Sequence, residues 1–265
     1  MQNKMTAVFI SHGGGPMPLL GDPGHREMVT CLESLARRLQ RPDAVIVVSA
    51  HWEEEVAAIT ASPAPSLIYD YYGFPEESYH YTYPCPGEPQ LAGEIHRLLE
   101  NYGIEAKLDQ DRGWDHGVFV PMKIMYPEAD IPCVQLSLLH SLDPGAHIAL
   151  GQALSGLSKK NILLMGSGFS FHNLKAIFAP EDAQTNAMNQ AFEQWLHETC
   201  CSTELSEDER VQKLEHWFEA PGARFCHPRV EHLLPLHVCY GFSQKACSEV
   251  LKLQIMNKAS SMYVW

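Results

Sequence analysis

Unbroken apolar runs that alternate with helical segments are the feature that most constrains how this chain folds. Four runs have the length of a buried strand: "TAVFIS" (6–11), "DAVIVVSA" (43–50), "IPCVQLSLL" (131–139) and "NILLMGSG" (161–168). Apolar residues recur at helical spacing in residues 25–39, 91–103, 145–158, 183–200 and 231–243. Because continuous apolar runs mark strands covered on both faces, the pattern predicts an α/β fold. We expect a single domain over residues 1–265, with a central, mostly parallel or mixed β-sheet flanked by helices.

The composition limits the classes of partner. The chain has 265 residues, of which 45% are hydrophobic, and a formal net charge of −13. A field of this sign repels nucleic-acid phosphates and anionic membrane surfaces, so we expect neither as a partner. No apolar run approaches the ~20 residues of a membrane span, and the N-terminal "MQNKMTAVFISH" is interpreted as a first strand and not as a signal peptide. The sequence indicates a cytoplasmic protein and leaves its oligomeric state open.

Cysteine usage points to the same compartment. The chain has eight cysteines, none in a CxxC spacing, and Cys200 and Cys201 are adjacent. A disulfide framework is unusual in a chain of this length without signs of secretion. All eight cysteines are therefore predicted to be reduced thiols.

Residues 62–89, "SPAPSLIYDYYGFPEESYHYTYPCPGEP", interrupt the alternation. The segment is dense in Pro and Tyr and follows neither the helical nor the strand period. Long loops inside a compact domain are usually functional or disordered, and the many aromatic side chains argue against disorder. We predict an ordered lid or pocket wall, whose aromatic residues between 69 and 83 stack on a substrate ring and exclude water.

Three histidines follow predicted strands. His12 comes directly after the first strand, His51 after the second in "VVSAHW", and His172 shortly after a later one in "GSGFSFHNL". Parallel strands deliver the side chains beyond their carboxyl ends to one crevice, and histidine is the commonest metal ligand. The three side chains are therefore predicted to meet in one site.

The glycines beside these histidines allow two interpretations. "HGGG" at residues 12–15 is compatible with the oxyanion-hole turn of an esterase and with a metal histidine on a flexible backbone. The esterase interpretation requires a GxSxG nucleophile elbow, which the chain lacks. His12 is therefore taken as a metal ligand, and residues 13–15 and 166–168 as stretches where the backbone approaches a ligand closely.

Two further motifs carry side chains suited to catalysis or metal binding. "WDHGVFVPM" contains His116, and "HPRVEHLLPL" places Glu231 beside His232 at the predicted start of a helix, with Pro235 in its first turn. Neighbouring residues of a helix point about 100° apart, so only one of Glu231 and His232 is expected to face a metal. Alternatively, Glu231 serves only as a carboxylate at the helix N-terminus.

In their order along the chain, these motifs resemble the class III extradiol ring-cleaving dioxygenases, and among them the DOPA-dioxygenase type. The resemblance covers residues 8 to about 240 and rests on "FISHGGGPM", "VVSAHW", "IYDYYGFPEESYHYTYPCPGEP", "WDHGVFVPM", "DIPCVQLSL", "GSGFSFHNL" and "PRVEHLLPL". Each motif is short, but the whole set in register is specific. The resemblance implies an oxidoreductase that opens the ring of a small aromatic diol, a DOPA-like catechol, with O₂. It also implies one divalent metal ion, Fe(II) for turnover or Zn(II) as bound.

The resemblance implies roles for five histidines. His12, His51, His172 and His232 match the metal-associated histidines of DOPA-type members, and His172 matches the catalytic base of the wider class. His116 matches the histidine that lines the substrate site. His116 and His172 are accordingly predicted to be the catalytic pair.

Two assignments stay open. The wider class uses two histidines and a glutamate, whereas here His232 stands beside Glu231, so either is the third ligand. His172 lies farther from its strand than the other histidines do, which favours the base over the ligand role. His227 is expected to be structural or to support a ligand without touching the metal.

Two other functions use the same histidines. A zinc hydrolase would activate water on them, and a metal-binding signalling protein of this fold would carry no catalysis. The presence of both His116 and His172 argues against the second alternative, because a purely structural metal site needs no base.

Overall fold

The computed structural model describes residues 6–157, 161–180 and 182–265, whose strands form one eight-stranded sheet. The strands are β1 (Thr6–Ser11), β2 (Ala44–Glu54), β3 (Ala57–Thr60), β4 (Ala106–Asp109), β5 (Cys133–Leu139), β6 (Ile162–Gly168), β7 (Glu249–Ile255) and β8 (Lys258–Val264). They lie in the order β4-β3-β5-β2-β6-β1-β8-β7. The central strands β5, β2, β6 and β1 are parallel, whereas β3 and β8 pair with this centre in the antiparallel sense. The predicted α/β fold with a mixed, centrally parallel sheet is confirmed.

Helices fill the connections between the strands. The α-helices of the described residues are α1 (Arg26–Arg38), α2 (Pro89–Asn101), α3 (His116–Met125), α4 (Pro144–Leu154), α5 (Leu174–Ile177), α6 (Ala183–Cys201), α7 (Glu207–Glu215), α8 (Ala223–Cys226) and α9 (Leu234–Ser243). None of the described helices has the length and apolarity that crossing a membrane requires. In β2, every residue from Ala44 to Ala50 is buried, which explains why the sequence of this strand is a nearly continuous apolar run.

The end of β6 shows how two helices are placed on opposite faces of the sheet. A Cβ on Gly166 would lie 2.5 Å from the carbonyl oxygen of Pro235, so α9 packs directly on the backbone of this strand. Successive strand residues face opposite sides, and the hydroxyl of Ser167 donates to the carbonyl of Gly117 in α3. Helices α3 and α9 therefore cover opposite faces. The prediction that a ligand approaches the backbone at residue 166 is wrong, because the helix takes that space.

The carboxyl ends of β1 and β6 are level with the part of β2 around Ser49. Ser11 of β1 is in register with Gly168 of β6, and Ser49 of β2 is in register with Ser167 of β6. Because β6 lies between β1 and β2, the residues just past Ser11 of β1 and just past Ser49 of β2 meet at its end. The adjacent placement of His12 and His51 is a direct result of this register.

Strand β2 is longer than its apolar run indicates. It continues to Glu54, and its pairing with β5 shifts register between Val48 and Glu53. His51 therefore lies inside a bulged part of the strand and not beyond its end. Bulges re-aim side chains near active sites, which is the effect here.

Several elements differ from the sequence prediction. The short strands β3 and β4, the helices α3 and α7, and the C-terminal hairpin β7–β8 were not predicted. Helix α9 begins at Leu234, so Glu231 and His232 lie in the turn before it and the argument from helical spacing does not apply to them. Pro235 lies in the first turn of α9, as predicted. Ser158, the last residue of the predicted helix 145–158, and residues 1–5 of the N-terminal segment lie outside the described residues.

Cysteine pairing is a second correction. Cys201, at the end of α6, and Cys247, just before β7, form a disulfide. The prediction that all eight cysteines are reduced is therefore wrong for this pair. Their separation of 46 residues hid the pairing, because no short spacing motif links them. The disulfide joins the C-terminal hairpin to helix α6.

Glycine at position 151 permits the close packing of α4 on α9. A Cβ there would lie 2.6 Å from the backbone nitrogen of Phe242 and would overlap the carbonyl oxygen of Val238. We expect Gly151→Ala to lower the free energy of unfolding by about 1–3 kcal/mol, because overpacking outweighs the helical gain of alanine. The matched control is Gly93→Ala in α2, whose new methyl group meets only the end of the Arg97 side chain at 3.7 Å. Chemical denaturation should show the control to be unchanged or slightly more stable; equal stability of the two variants would contradict the packing argument.

Candidate metal centre

Five histidines from different parts of the chain form one cluster at the carboxyl ends of the central strands. Their ring centroids lie between 3.4 and 5.2 Å from at least one other ring of the group. The members of this histidine cluster are His12, His51, His116, His172 and His232. All five were singled out from the sequence, and the structure brings all five together.

His12, His51 and His232 form a compact triangle. The ring centroids of His12 and His51 are 4.8 Å apart, and that of His232 lies 5.2 and 4.9 Å from them. The Nε2 atoms of His12 and His51 approach to 3.0 Å. His116 lies on another side of the same pair, with its ring 4.0 Å from that of His51. The ligand atoms of His12, His51 and His116 lie within 4.8 Å of one another, and the ring of His232 lies near the same pair, so both His116 and His232 are candidates for the third nitrogen.

Ser167 determines which nitrogen of His12 carries the proton. The single hydroxyl proton of Ser167 goes to the carbonyl of Gly117, so its oxygen must accept from Nδ1–H of His12, 3.0 Å away. The neutral ring then has its lone pair on Nε2, the atom that faces His51. Ser167 was not predicted as a site residue, although it lies between the two glycines of a recognised motif.

Glu231 holds two imidazoles with one oxygen. Its Oε1 lies 3.0 Å from Nδ1 of His232 and 3.2 Å from Nδ1 of His172, and the two rings stack with centroids 3.4 Å apart. Both Nδ1–H groups donate to this oxygen, which leaves both Nε2 atoms free. Arg229 lies 3.5 Å from the other oxygen. Glu231 and His232 thus act as a pair, an arrangement that the sequence argument, which chose between them, did not foresee.

Asp70 plays the corresponding part on the other side of the cluster. Its Oδ1 accepts from both the backbone N–H and Nδ1–H of His116, each at 2.9 Å. Its Oδ2 lies 3.7 Å from Nδ1 of His51, which favours the proton on that nitrogen. Asp70 was missed because it stands among tyrosines in "IYDYY", with no motif of its own.

Burial keeps the ligand-type histidines uncharged. Desolvation, followed by the charges of the neighbouring histidines, holds the pKa of His12 and that of His232 well below the usual value. Burial likewise lowers the pKa of His51 to about 3. Burial tends to raise the pKa of Asp70 and of Glu231, but hydrogen bonds and the neighbouring charges together outweigh it, so the pKa of each carboxylate lies below its usual value.

These donors fit a divalent metal ion. The Nε2 lone pairs of His12 and His51 face each other across 3.0 Å, a repulsive contact unless a cation lies between them. Two imidazole nitrogens that bind one metal at about 2.0–2.1 Å stand about 2.9–3.3 Å apart, so the spacing is suitable. The carboxylate behind each outer histidine is the usual support of a metal-binding imidazole. Within the described residues, two groups of three have ligand atoms within 4.8 Å of one another: His12, His51 and His116, and His172, Glu231 and His232.

The glycine loop beside His12 is anchored by a residue that the sequence did not single out. The N–H of Gly14 donates to Nε2 of the buried His25 at 3.0 Å, and Nδ1–H of His25 donates to Asp22 at 2.7 Å. Gly13 has a φ of +80°, and a Cβ on it would lie 2.8 Å from the His25 ring. The first glycine is therefore required by both backbone conformation and space.

A buried polar network fixes the backbone of His51. Asp115 accepts from the hydroxyl of Ser49 at 2.7 Å, from the amide of Gln135 at 2.5 Å and from Arg112 at 3.0 Å. Arg112 also donates to the carbonyl of His51 at 3.3 Å. Because Asp115 directly precedes α3, this network connects the backbone of His51 with the start of the helix that carries His116.

A cleft of about 370 Å³ opens onto the cluster. Besides the five histidines and Asp70, it is lined by the glycine loop and by apolar side chains: Met17, Tyr71, Tyr72, Phe74, Phe169, Leu174, Ile177, Phe178 and Met256. Tyr71 is buried and its hydroxyl donates to the carbonyl of Ser78 at 2.5 Å. Within residues 62–89, Asp70, Tyr71, Tyr72 and Phe74 line the cleft, so the predicted pocket wall is confirmed for this part of the segment.

His227 does not join the cluster. It is buried between Phe192 and Trp217, and its Nε2–H donates to the carbonyl of Ser170 at 2.8 Å. Burial lowers its pKa to about 3, so it is neutral. The interpretation of His227 as a structural residue agrees with these contacts.

Comparison with known proteins identifies the family. The family model described as the catalytic LigB subunit of aromatic ring-opening dioxygenase matches residues 6–262. The chain belongs to the LigB family. The resemblance to the class III extradiol dioxygenases and the prediction of a non-haem aromatic ring-opening dioxygenase are thereby confirmed. Membership of the LigB family implies that this protein acts on an aromatic substrate with O₂ and binds a metal ion.

Named relatives agree with this assignment. The LigB-family chain is 42% identical to dioxygenase tasH of Hapsidospora irregularis, over 88% of this chain and 76% of the relative. It is 38% identical to a 4,5-DOPA dioxygenase extradiol of Beta vulgaris, over 90% and 87% of the two chains. The crystal structure of an uncharacterized protein from Escherichia coli K12 superposes with a TM-score of 0.78 at 28% identity, covering 98% of this chain and 99% of that one.

Ser167 provides a test of the metal centre that leaves every histidine in place. We expect Ser167→Ala to weaken binding of Zn(II) or Fe(II) by about 10–100-fold, because His12 loses the acceptor that holds its Nδ1 proton. The matched control is Ser137→Ala, which removes another buried serine hydroxyl, one that accepts from the backbone N–H of Ala58. Titration calorimetry with the metal should show a loss of affinity in Ser167→Ala only. Unchanged affinity in that variant would contradict the role of Ser167.

Proposed function

We propose that this LigB-family protein is an extradiol dioxygenase that opens the ring of a catechol with O₂, and that Fe(II) is the metal in turnover. The observation that carries the proposal is the convergence of five histidines, supported by two carboxylates, at the floor of an aromatic-lined cleft. The relatives named 4,5-DOPA dioxygenase extradiol support a catechol as substrate.

We assign the metal to His12, His51 and His232. The three are close together, and burial keeps the pKa of each low enough for its nitrogen to be free at neutral pH. When bound, the metal supplies a chelating site for both catechol oxygens and for O₂, and it lowers the pKa of the catechol hydroxyl groups. Glu231 and Ser167 orient two of the three imidazoles.

His172 is the proposed base. Its Nδ1–H donates to Glu231, so Nε2 is the atom available to take a proton from a catechol hydroxyl group. The side chain is 20% exposed and lines the cleft, which gives it access to the substrate. The carboxylate of Glu231 stabilises the imidazolium that forms, as in other histidine–carboxylate pairs. A histidine that only bound a structural metal would not need this exposure.

His116 is proposed to hold a substrate oxygen. Asp70 fixes its ring through Nδ1, so Nε2 points away from the carboxylate towards the cluster and the cleft. The buried ring of Tyr71 lies 5.9 Å from the His116 ring and continues the cleft wall with Phe74. Aromatic side chains at this place pack on a substrate ring and keep water from the reacting carbons.

Substitutions at residues 231, 232 and 116 separate the possible third ligands. We expect His232→Ala to lose the metal and His116→Ala to retain most of it. Glu231→Gln should retain it as well, because an amide oxygen still accepts from Nδ1–H of His232. Metal content after dialysis, measured by elemental analysis, decides the point. Metal lost from Glu231→Gln but kept by His232→Ala would reverse the assignment.

The reaction is tested by oxygen uptake. Protein loaded with Fe(II) under anaerobic conditions should consume O₂ with simple catechols and form a yellow ring-opened semialdehyde. Absence of uptake across a catechol panel would contradict the proposed function and leave a zinc hydrolase as the alternative. His172→Gln should keep the metal and lose about 10²–10⁴-fold in kcat, as expected for a general base. The exposed His216 supplies the control His216→Gln, which should keep full activity. Restoration of the His172→Gln rate by excess Fe(II) would show that His172 is a ligand instead.

A further inference from the structure

The mouth of the cleft carries an unusual group of exposed apolar side chains. Tyr72, Leu174 and Phe178 are 91%, 57% and 73% exposed, and all three line the cleft. They make up half of the six large hydrophobic residues that are exposed in the described part of the chain. Single exposed apolar residues are normal, but a group at the entrance of a binding cleft marks a contact surface. We refer to these three residues as the apolar rim.

The rim continues inward along one face of α5. Leu174, Ile177 and Phe178 are spaced by three and four positions, so they share a face of this helical turn. Met17 and Met256 also line the cleft, and methionine adapts its shape to apolar ligands. A path of apolar surface therefore leads from the histidine cluster to the solvent.

Within the described residues, the lining of the cleft offers no lysine or arginine to an anion. It contains the carboxylate of Asp70. Arg112 is engaged by Asp115, and Arg229 is engaged by Glu53 and Glu231. Lys175 is exposed next to the rim but does not line the cleft. The net charge of −13 disfavours an anionic substituent further.

We propose that the substrate of this site is a catechol with an uncharged, apolar substituent, an alkyl or aryl group that passes through the mouth and packs on the apolar rim. The inference rests on the proposed function, which supplies the catechol ring. It differs from a DOPA-like substrate in the substituent, because the carboxylate of an amino acid would meet no lysine or arginine in the described lining of the cleft. The diol end is common to both classes, so the substituent alone decides the preference.

Three catechols of similar size test the inference: 4-propylcatechol, dopamine and 3,4-dihydroxyphenylacetate. With the Fe(II)-loaded protein, we expect kcat/KM to be at least 10-fold higher for 4-propylcatechol than for 3,4-dihydroxyphenylacetate, with dopamine between them. From 4-methyl- to 4-propylcatechol, each added methylene should raise kcat/KM by about fourfold, the effect of burying one such group. Equal values, or higher values for the carboxylate, would overturn the inference.

Anaerobic calorimetry with the same three compounds separates the two proposals. Because the diol is shared, the ratio of the Kd values reports the substituent. Preferential binding of 4-propylcatechol without any O₂ consumption would reject the proposed reaction and support the substituent preference. O₂ consumption together with equal Kd values and equal kcat/KM values would support the reaction and reject the preference.

Variants of the rim locate the effect. Leu174→Ser and Phe178→Ser should each reduce the preference for 4-propylcatechol over 3,4-dihydroxyphenylacetate, measured as the ratio of the two kcat/KM values, by about three- to tenfold. Phe218, 39% exposed and outside the cleft, supplies the control Phe218→Ser, which should leave the ratio unchanged. If the rim variants alter the oligomeric state in size-exclusion chromatography without changing the ratio, the rim is an interface between copies of the chain and the inference is wrong.

Discussion

Five imidazoles in mutual contact are compatible only if most of them are uncharged, and this requirement explains much of the surrounding structure. Burial removes the charge from His12, His51 and His232 by lowering their pKa values. Without a fixed partner, a neutral imidazole could carry its proton on either nitrogen. The carboxylates of Asp70 and Glu231, at opposite sides of the cluster, fix the tautomer and the orientation of the rings that they contact. The result is a set of lone pairs held towards a common centre before any ligand arrives. Such preorganisation removes much of the ordering cost that a flexible site would face on binding a metal.

The sheet provides the positions that this arrangement needs. Strand β6 lies between β1 and β2, so His12, directly after β1, and His51, in the bulged part of β2, meet above its end. Successive residues of β6 also face opposite sides of the sheet, so neighbouring positions contact different elements. Because Gly166 and Gly168 have no side chain, the backbone carbonyls of Pro235 and His232 pack closely on them. Ser167, between the two glycines, accepts from Nδ1–H of His12 on the other face. Three consecutive small residues thus connect histidines that lie far apart in sequence.

The parts of the fold and site that were predictable from sequence are those with a periodic or positional signal. The continuous apolar runs identified the central strands, and strand-end histidines identified His12, His51 and His172. The hairpin β7–β8 was missed although Leu251, Leu253 and Ile255 alternate with polar residues, and its turn at Met256 and Asn257 lacks the Asn-Gly signal of a tight hairpin. Asp70 and Ser167 were missed for a different reason, since their function depends on contacts across 46 and 155 residues that no local pattern records. Cys201 and Cys247 belong to the same class of long-range pairing.

The single oxygen that Glu231 presents to both His172 and His232 has a consequence for how such a centre can change. The two rings come from different elements, one after β6 and one before α9, yet the same atom sets the orientation of both. A substitution at position 231 therefore cannot adjust one ring and leave the other as it was. If His172 gained a proton, its positive charge would be stabilised by the same carboxylate that also accepts from Nδ1–H of His232. That second contact makes Nε2 of His232 a stronger electron-pair donor. Any change that alters the environment of His172 through Glu231 would therefore also alter that of His232, and the two rings must be optimised together.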